Sequence, residues 1–134
     1  MRSRLIKLAL VSLLFCAAAS AQTRTQAQPQ EPTIRILVQS SPLAGFQYHA
    51  GTSVWNAMKV GDALQLTREP ENPHDAHAVR VDWHGQQLGY LPRAENHAVA
   101  TEMDRGGRVE ARIAKLRSHT NPWQRVLVEV FVVL

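Results

Sequence analysis

The chain has 134 residues, with 15 Lys and Arg against 11 Asp and Glu and a formal net charge of +4. At about 100–200 residues per domain, this length holds one domain and excludes a multidomain ATPase, polymerase or dehydrogenase. A hydrophobic content of 45% excludes a wholly disordered chain, and a single Cys excludes both a disulfide framework and a cysteine zinc site.

Residues 1–21 read as a secretory signal peptide. Arg2, Arg4 and Lys7 form a basic start, Leu8 to Ala19 is an apolar run of 12 residues, and Ala19-Ser20-Ala21 is a small-x-small cleavage site. The run is short for the ~30 Å of hydrocarbon that a membrane anchor must span. Cys16 raises a lipoprotein, but Phe15 before it is a poor fit to the small residue such a site wants. The expected protein is therefore secreted or periplasmic, touching a membrane only through an uncleaved signal segment. Removing 21 of 134 residues leaves 113, takes away three positive charges and no negative ones, and brings the net charge to +1. It also removes Cys16, which excludes a thiol enzyme. Residues 22–32 are Gln-rich and nearly free of apolar side chains, the composition of a flexible tether.

The domain itself is expected over 33–134. Ile34 to Val38 is a β-branched run, and Phe46 to His49 is a second short strand after a Pro-Leu-Ala-Gly turn. Ala63 to Arg68 and Ala78 to Trp83 alternate apolar and polar residues, as half-buried strands do. His84-Gly85 then turns the chain into a partner strand, Gln86 to Leu91. Arg93 to Asp104 carries Ala94, Ala98, Val99 and Met103 at helical spacing, with Pro92 ahead and Gly106-Gly107 behind. Val109 to Leu116 and Val126 to Val132 close the chain as strands. The spacing predicts a mainly β fold: a small OB-like β-barrel of about six strands with one or two packed helices. Gly45, Gly61 and Gly89 fit the backbone needs of turns and bulges.

Four short motifs stand out in order: Ala44-Gly45-Phe46-Gln47-Tyr48-His49, then Leu66-Thr67-Arg68-Glu69-Pro70-Glu71-Asn72-Pro73-His74-Asp75, then Ala78-Val79-Arg80-Val81, then Gln87-Leu88-Gly89-Tyr90-Leu91-Pro92-Arg93. In residue type and spacing they resemble the HIRAN domain family, over roughly Val38 to Phe131. The resemblance implies an OB-like barrel that binds single-stranded DNA and captures its free 3′-hydroxyl end. It implies that Tyr48 stacks on a terminal base, that Asp75 accepts a hydrogen bond from the hydroxyl, and that Asn72 and Pro73 form the turn presenting it. It places Arg93 near backbone phosphates and Trp123 as a wedge between bases. His49, His74 and Tyr90 occupy ring positions of the pattern, and Gln47 stands where a basic residue would hold phosphate. Imidazoles still stack on bases, over a smaller area than phenol rings.

Other readings of the same residues stay open. Asp75 can cap a turn, Tyr48 can be a core or surface aromatic, Arg93 can be merely solvated, and Trp123 can lid the barrel. His74, Asp75 and His77, with His49 across a strand, are candidate metal ligands for zinc, although His77 can point away from His74. No other cofactor is expected. Glu69, Glu71 and Asp75 suggest paired carboxylates, but no nucleophile–base pair accompanies them, so binding is expected rather than catalysis. The hydrolase chemistry of proteins that carry this domain belongs to companion helicase domains, and no Walker loop is visible in this sequence. The alternative is a binding module of the cell envelope on the same fold, with a protein or cell-wall component as ligand.

Overall fold

The computed structural model describes residues 31–134; the expected signal peptide and most of the expected tether lie outside them. Six strands form, in chain order β1 (Arg35–Pro42), β2 (Ala63–Arg68), β3 (Val79–Trp83), β4 (Gln86–Tyr90), β5 (Arg108–Leu116) and β6 (Val126–Val133). Two α-helices accompany them, α1 (Gly51–Val54) and α2 (His97–Asp104). All pairings are antiparallel, in the spatial order β1-β6-β5-β2-β3-β4. The architecture is mainly β with packed helices, as the alternating patterns require.

β2 is the strand that bends the sheet. Its first residues, Ala63 and Leu64, pair with Arg112 and Ala111 of β5, and from Gln65 onward it pairs with β3. The β3–β4 hairpin turns on His84 and Gly85, at φ 47° and 78°. Two successive positive φ values are the signature of a two-residue turn whose twist matches that of the flanking strands. The inward residues of the strands make one core, in which Val79, Val81, Leu88, Ile113, Val128 and Val130 are all fully buried. Each such side chain contributes about 1.5–3 kcal/mol of burial.

The expected barrel is not closed by a continuous ladder. The two ends of the sheet, β1 and β4, meet at a single bridge: the Ala44 N–H donates to the Tyr90 carbonyl (2.8 Å) and the Tyr90 N–H to that of Ala44 (3.0 Å). Two neighbours limit this contact to one residue. Pro42 has no N–H to extend it, and Gly45, at φ 73°, turns the chain away. A Cβ on Gly89 would lie 2.3 Å from the Ala44 carbonyl oxygen, so the seam closes only over a glycine.

Two local expectations are corrected. Phe46 to His49 is not a strand: Phe46–Tyr48 forms a 3-10 turn, because Phe46 drives into the core (1% exposed) against Trp55 and over Gly51. The helix expected from Arg93 starts only at His97. Residues 93–95 form a turn instead, closed by Glu95 N–H to Pro92 O at 2.9 Å.

Candidate functional site

The segment between β2 and β3 is a long loop that the sequence shapes by itself. Asn72 Oδ1 accepts from the His74 N–H and Asp75 Oδ1 from the His77 N–H, each at 2.9 Å. These are two successive Asx turns, the local conformation that Asn and Asp favour. The loop is sewn shut at its base by Glu69 N–H to Ala78 O, at 3.0 Å. Arg68, at the end of β2, then clamps it. Its guanidinium donates to the carbonyls of Ala78 (3.0 Å) and Ala76 (2.8 Å) and reaches Asp104 of α2 at 2.9 Å. Asn96, just ahead of α2 and 1% exposed, donates to Asp75 Oδ2 at 2.7 Å.

This loop forms one wall of a groove of about 420 Å³ that runs along the barrel seam. Ala44, Ala78, Tyr90 and Leu91 line it together with His49, Asn72, His74, Asp75 and Arg93. Six of the eight residues singled out from the sequence are thus brought together: His49, Asn72, His74, Asp75, Tyr90 and Arg93. The rings of His49 and Tyr90 meet edge to face, 5.9 Å apart. The Tyr90 hydroxyl donates to Glu69 Oε2 at 3.0 Å, and the Asn72 amide donates to the same oxygen at 3.0 Å. Arg80 reaches the other oxygen of Glu69 at 3.4 Å. Glu69 therefore orients the tyrosine and the asparagine.

The Asp75 carboxylate lies below its ordinary range. Partial burial works against its charge and is outweighed by the bonds from Asn96 and the His77 N–H, with the fields of Arg93 and His77 assisting. Tyr90 is pushed the other way, by burial and by its bond to Glu69, so its hydroxyl stays protonated at neutral pH. The groove thus presents one fixed carboxylate, one guanidinium and three polar rings.

The other two expected residues lie outside this groove. Tyr48 sits on the 3-10 turn before it and is 80% exposed. Trp123 lies on the turn Pro122–Gln124, which packs beside the Tyr48 turn, and lines a separate depression of about 270 Å³. The candidate metal ligands do not converge. His77 Nε2 lies 3.1 Å from His97 Nδ1, and among the described residues no group of three His, Cys, Asp or Glu could hold a metal ion.

Sequence reasoning missed Glu69, Arg68 and Asn96 as organisers of the site. Glu69 sits inside a quoted motif, but beside Glu71 and Asp75 it read only as one of a set of paired carboxylates. Asn96 carries no local signal at all.

Comparison with known proteins gives three findings. A family model described as HIRAN domain matches residues 36–134. Among solved structures, a protein from Lactobacillus plantarum is similar at TM-score 0.65 and 24% identity, covering 76% of this chain and 98% of its own. The HIRAN domain of human HLTF is similar at TM-score 0.56 and 24% identity, covering 73% of this chain and 78% of its own. No curated protein matches the chain.

Proposed function

The chain belongs to the HIRAN domain family, and from that premise we propose that it is a nucleic-acid-binding module whose groove captures the free 3′-hydroxyl end of a single DNA strand. The observation that carries this reading is Asp75: an ionised carboxylate fixed on the groove wall by Asn96 and His77, with Arg93 beside it.

Each carboxylate oxygen already accepts one bond, and a carboxylate has about four acceptor sites, so capacity is left for a hydroxyl proton. A terminal phosphate in the same place would meet like charge. At an effective dielectric of about 20, two unit charges ~4 Å apart repel by about 4 kcal/mol. The carboxylate therefore selects a hydroxyl end over a phosphorylated end or an internal linkage. Arg93 supplies the phosphate contact one linkage inward. The rings of His49, His74 and Tyr90 hold the terminal base without reading its identity, because every base has a π-face. Tyr48, exposed at the mouth, and Trp123 on the neighbouring turn take the next bases. Such binding requires no bond making or breaking, so the reading is of a binding module and not an enzyme.

We place this module outside the cytoplasm, secreted or periplasmic, on the leader pattern of residues 1–21. One observation favours a second reading, an envelope module with a protein or cell-wall ligand: residues 31–134 carry eleven Lys and Arg and eleven Asp and Glu, so no net charge draws in a polyanion.

Fluorescence anisotropy with a short labelled strand, at low and at physiological salt, separates the two. Binding that weakens steeply with salt supports the nucleic-acid reading, because each phosphate contact releases counterions. No binding at low salt overturns it and turns the search to envelope components.

A further inference from the structure

The domain is neutral overall, but its charges are not evenly mixed. Among the described residues, Arg35, Arg68, Arg80, Arg105, Arg108 and Arg112 each sit within ion-pair distance of a carboxylate. The cations outside those pairs are Lys59, Arg93, Lys115, Arg117 and Arg125. Three of these five lie at the tip of the β5–β6 hairpin, and residues 115–125 contain no Asp or Glu. Lys115 and Arg117 are two residues apart and both exposed, and a strand period of two puts both on one face. A bulge between Ile113 and Lys115 sets that face.

The tip is also rigidly built. The Arg117 N–H donates to Arg125 O (2.8 Å), Arg125 Nε to His119 O (2.6 Å), the Asn121 N–H to His119 Nδ1 (2.9 Å), and the Trp123 N–H to Asn121 Oδ1 (3.1 Å). These bonds hold a tryptophan that is 45% exposed. Trp123, Lys115, Arg117 and Arg125 line one depression, and no carboxylate lines it. An exposed indole on a fixed turn, ringed by unpaired cations, combines the two elements that hold a single strand without sequence preference: a stacking face and a phosphate track.

We infer that the β5–β6 tip is a phosphate track for the interior of a single strand, in which Lys115, Arg117 and Arg125 hold successive phosphates beside the base that the reading above gives to Trp123. The inference rests on the nucleic-acid reading above but uses none of the groove residues. Because the tip adjoins the Tyr48 turn, a strand whose 3′ end lies in the groove runs over Tyr48 toward the tip, which gives the bound strand a fixed polarity.

The test compares wild type with the double variant Lys115→Ala, Arg117→Ala. Both side chains are exposed, so the fold is spared. Anisotropy is measured across a salt series with oligothymidines of about three and about twelve nucleotides, within the usual span for such folds. Each strand ends in a 3′-hydroxyl or a 3′-phosphate. The inference expects the variant to lose tenfold or more affinity for the long strand and about 1.4 in salt slope, at ~0.7 per phosphate contact. It expects the short strand and the hydroxyl preference to be unaffected. Unchanged long-strand affinity and slope, with the hydroxyl preference intact, overturns the tip and spares the groove. The opposite pattern, a reduced slope with no hydroxyl preference in wild type, overturns end capture and spares the tip. Polyglutamate competing as well as DNA, with Trp123→Ala having no effect, also overturns the inference, since a strip that answers to charge alone has no use for the indole.

Discussion

Asn96 and Asp75, 21 residues apart, share a 2.7 Å hydrogen bond that joins the foot of α2 to the β2–β3 loop. The asparagine is 1% exposed, so its amide has no water to fall back on. This bond fixes the groove wall, and the residue at the N-terminal boundary of α2 gives its side chain to the loop and makes no cap bond.

Replacing Asn96 by Ala therefore removes a donor to a carboxylate and leaves a small cavity. The expected cost is about 1–3 kcal/mol. In a domain of this size each kcal/mol lowers Tm by roughly 4–8 °C. Thermal melting followed by circular dichroism reads it. An unchanged Tm would show that water replaces the amide and that the loop stands by its own turns.

Asp75 also sets a pH dependence. Its folded-state pKa lies below the unfolded value of about 3.9, so it stabilises the fold fully above that value. The contribution is lost as pH falls through the folded pKa. Between pH 8 and 5 the carboxylate stays charged, so titration of Asp75 is expected to add no pH dependence to hydroxyl binding over that range. Asp75→Asn flattens the acid limb of a stability profile measured by urea melts from pH 6 to 2. An acid limb identical to wild type would remove Asp75 from the account of stability.

Arg68 is the structural pin of the site. Its side chain is 14% exposed and holds two loop carbonyls. Arg68→Met is expected to cost about 1–3 kcal/mol and to loosen the loop, weakening ligand binding as well. Arg68→Lys does not restore it, because an ammonium cannot span the fork of acceptors. Arg108→Ala, which removes an outer ion pair to Glu110 and leaves that carboxylate its bond to Arg35, serves as the control and is expected to shift stability by less than ~1 kcal/mol. Equal midpoints for the Arg68 and Arg108 variants in urea would contradict this.

Gly89→Ala tests the seam. The added methyl would meet the Ala44 carbonyl at 2.3 Å, and backbone cannot yield as a side-chain tip does. Overpacking of this kind costs about 1–3 kcal/mol. Because Ala44 and Tyr90 both line the groove, ligand affinity is expected to fall together with Tm. Amide exchange at Ala44 and Tyr90 is expected to speed up, and protection equal to wild type would show that the seam tolerates the methyl.

The strands were legible because alternation is a local signal. Ala63 to Arg68 and Ala78 to Trp83 show it plainly, and His84-Gly85 carries the turn between β3 and β4 in its residue types. The Phe46–Tyr48 turn was not legible, since it depends on Phe46 finding its place beside Trp55 and Gly51. The same division runs through the site. Asn72, Asp75, Tyr90 and Arg93 lie in short motifs and converge on one groove. Glu69 and Asn96 act on partners 21 residues away, and no spacing rule reports such a contact. The placing of Trp123 beside the Tyr48 turn, and not in the groove, likewise follows from which turns the bent sheet brings side by side.

The most direct measurement takes the protein from Gln22 onward and two labelled strands of one sequence, ending in a 3′-hydroxyl or a 3′-phosphate, with wild type and Asp75→Asn side by side. The account predicts that wild type binds the hydroxyl end at least tenfold more tightly and that Asp75→Asn, with its fold confirmed by melting, binds the two ends alike. Equal binding of both ends by wild type would contradict it.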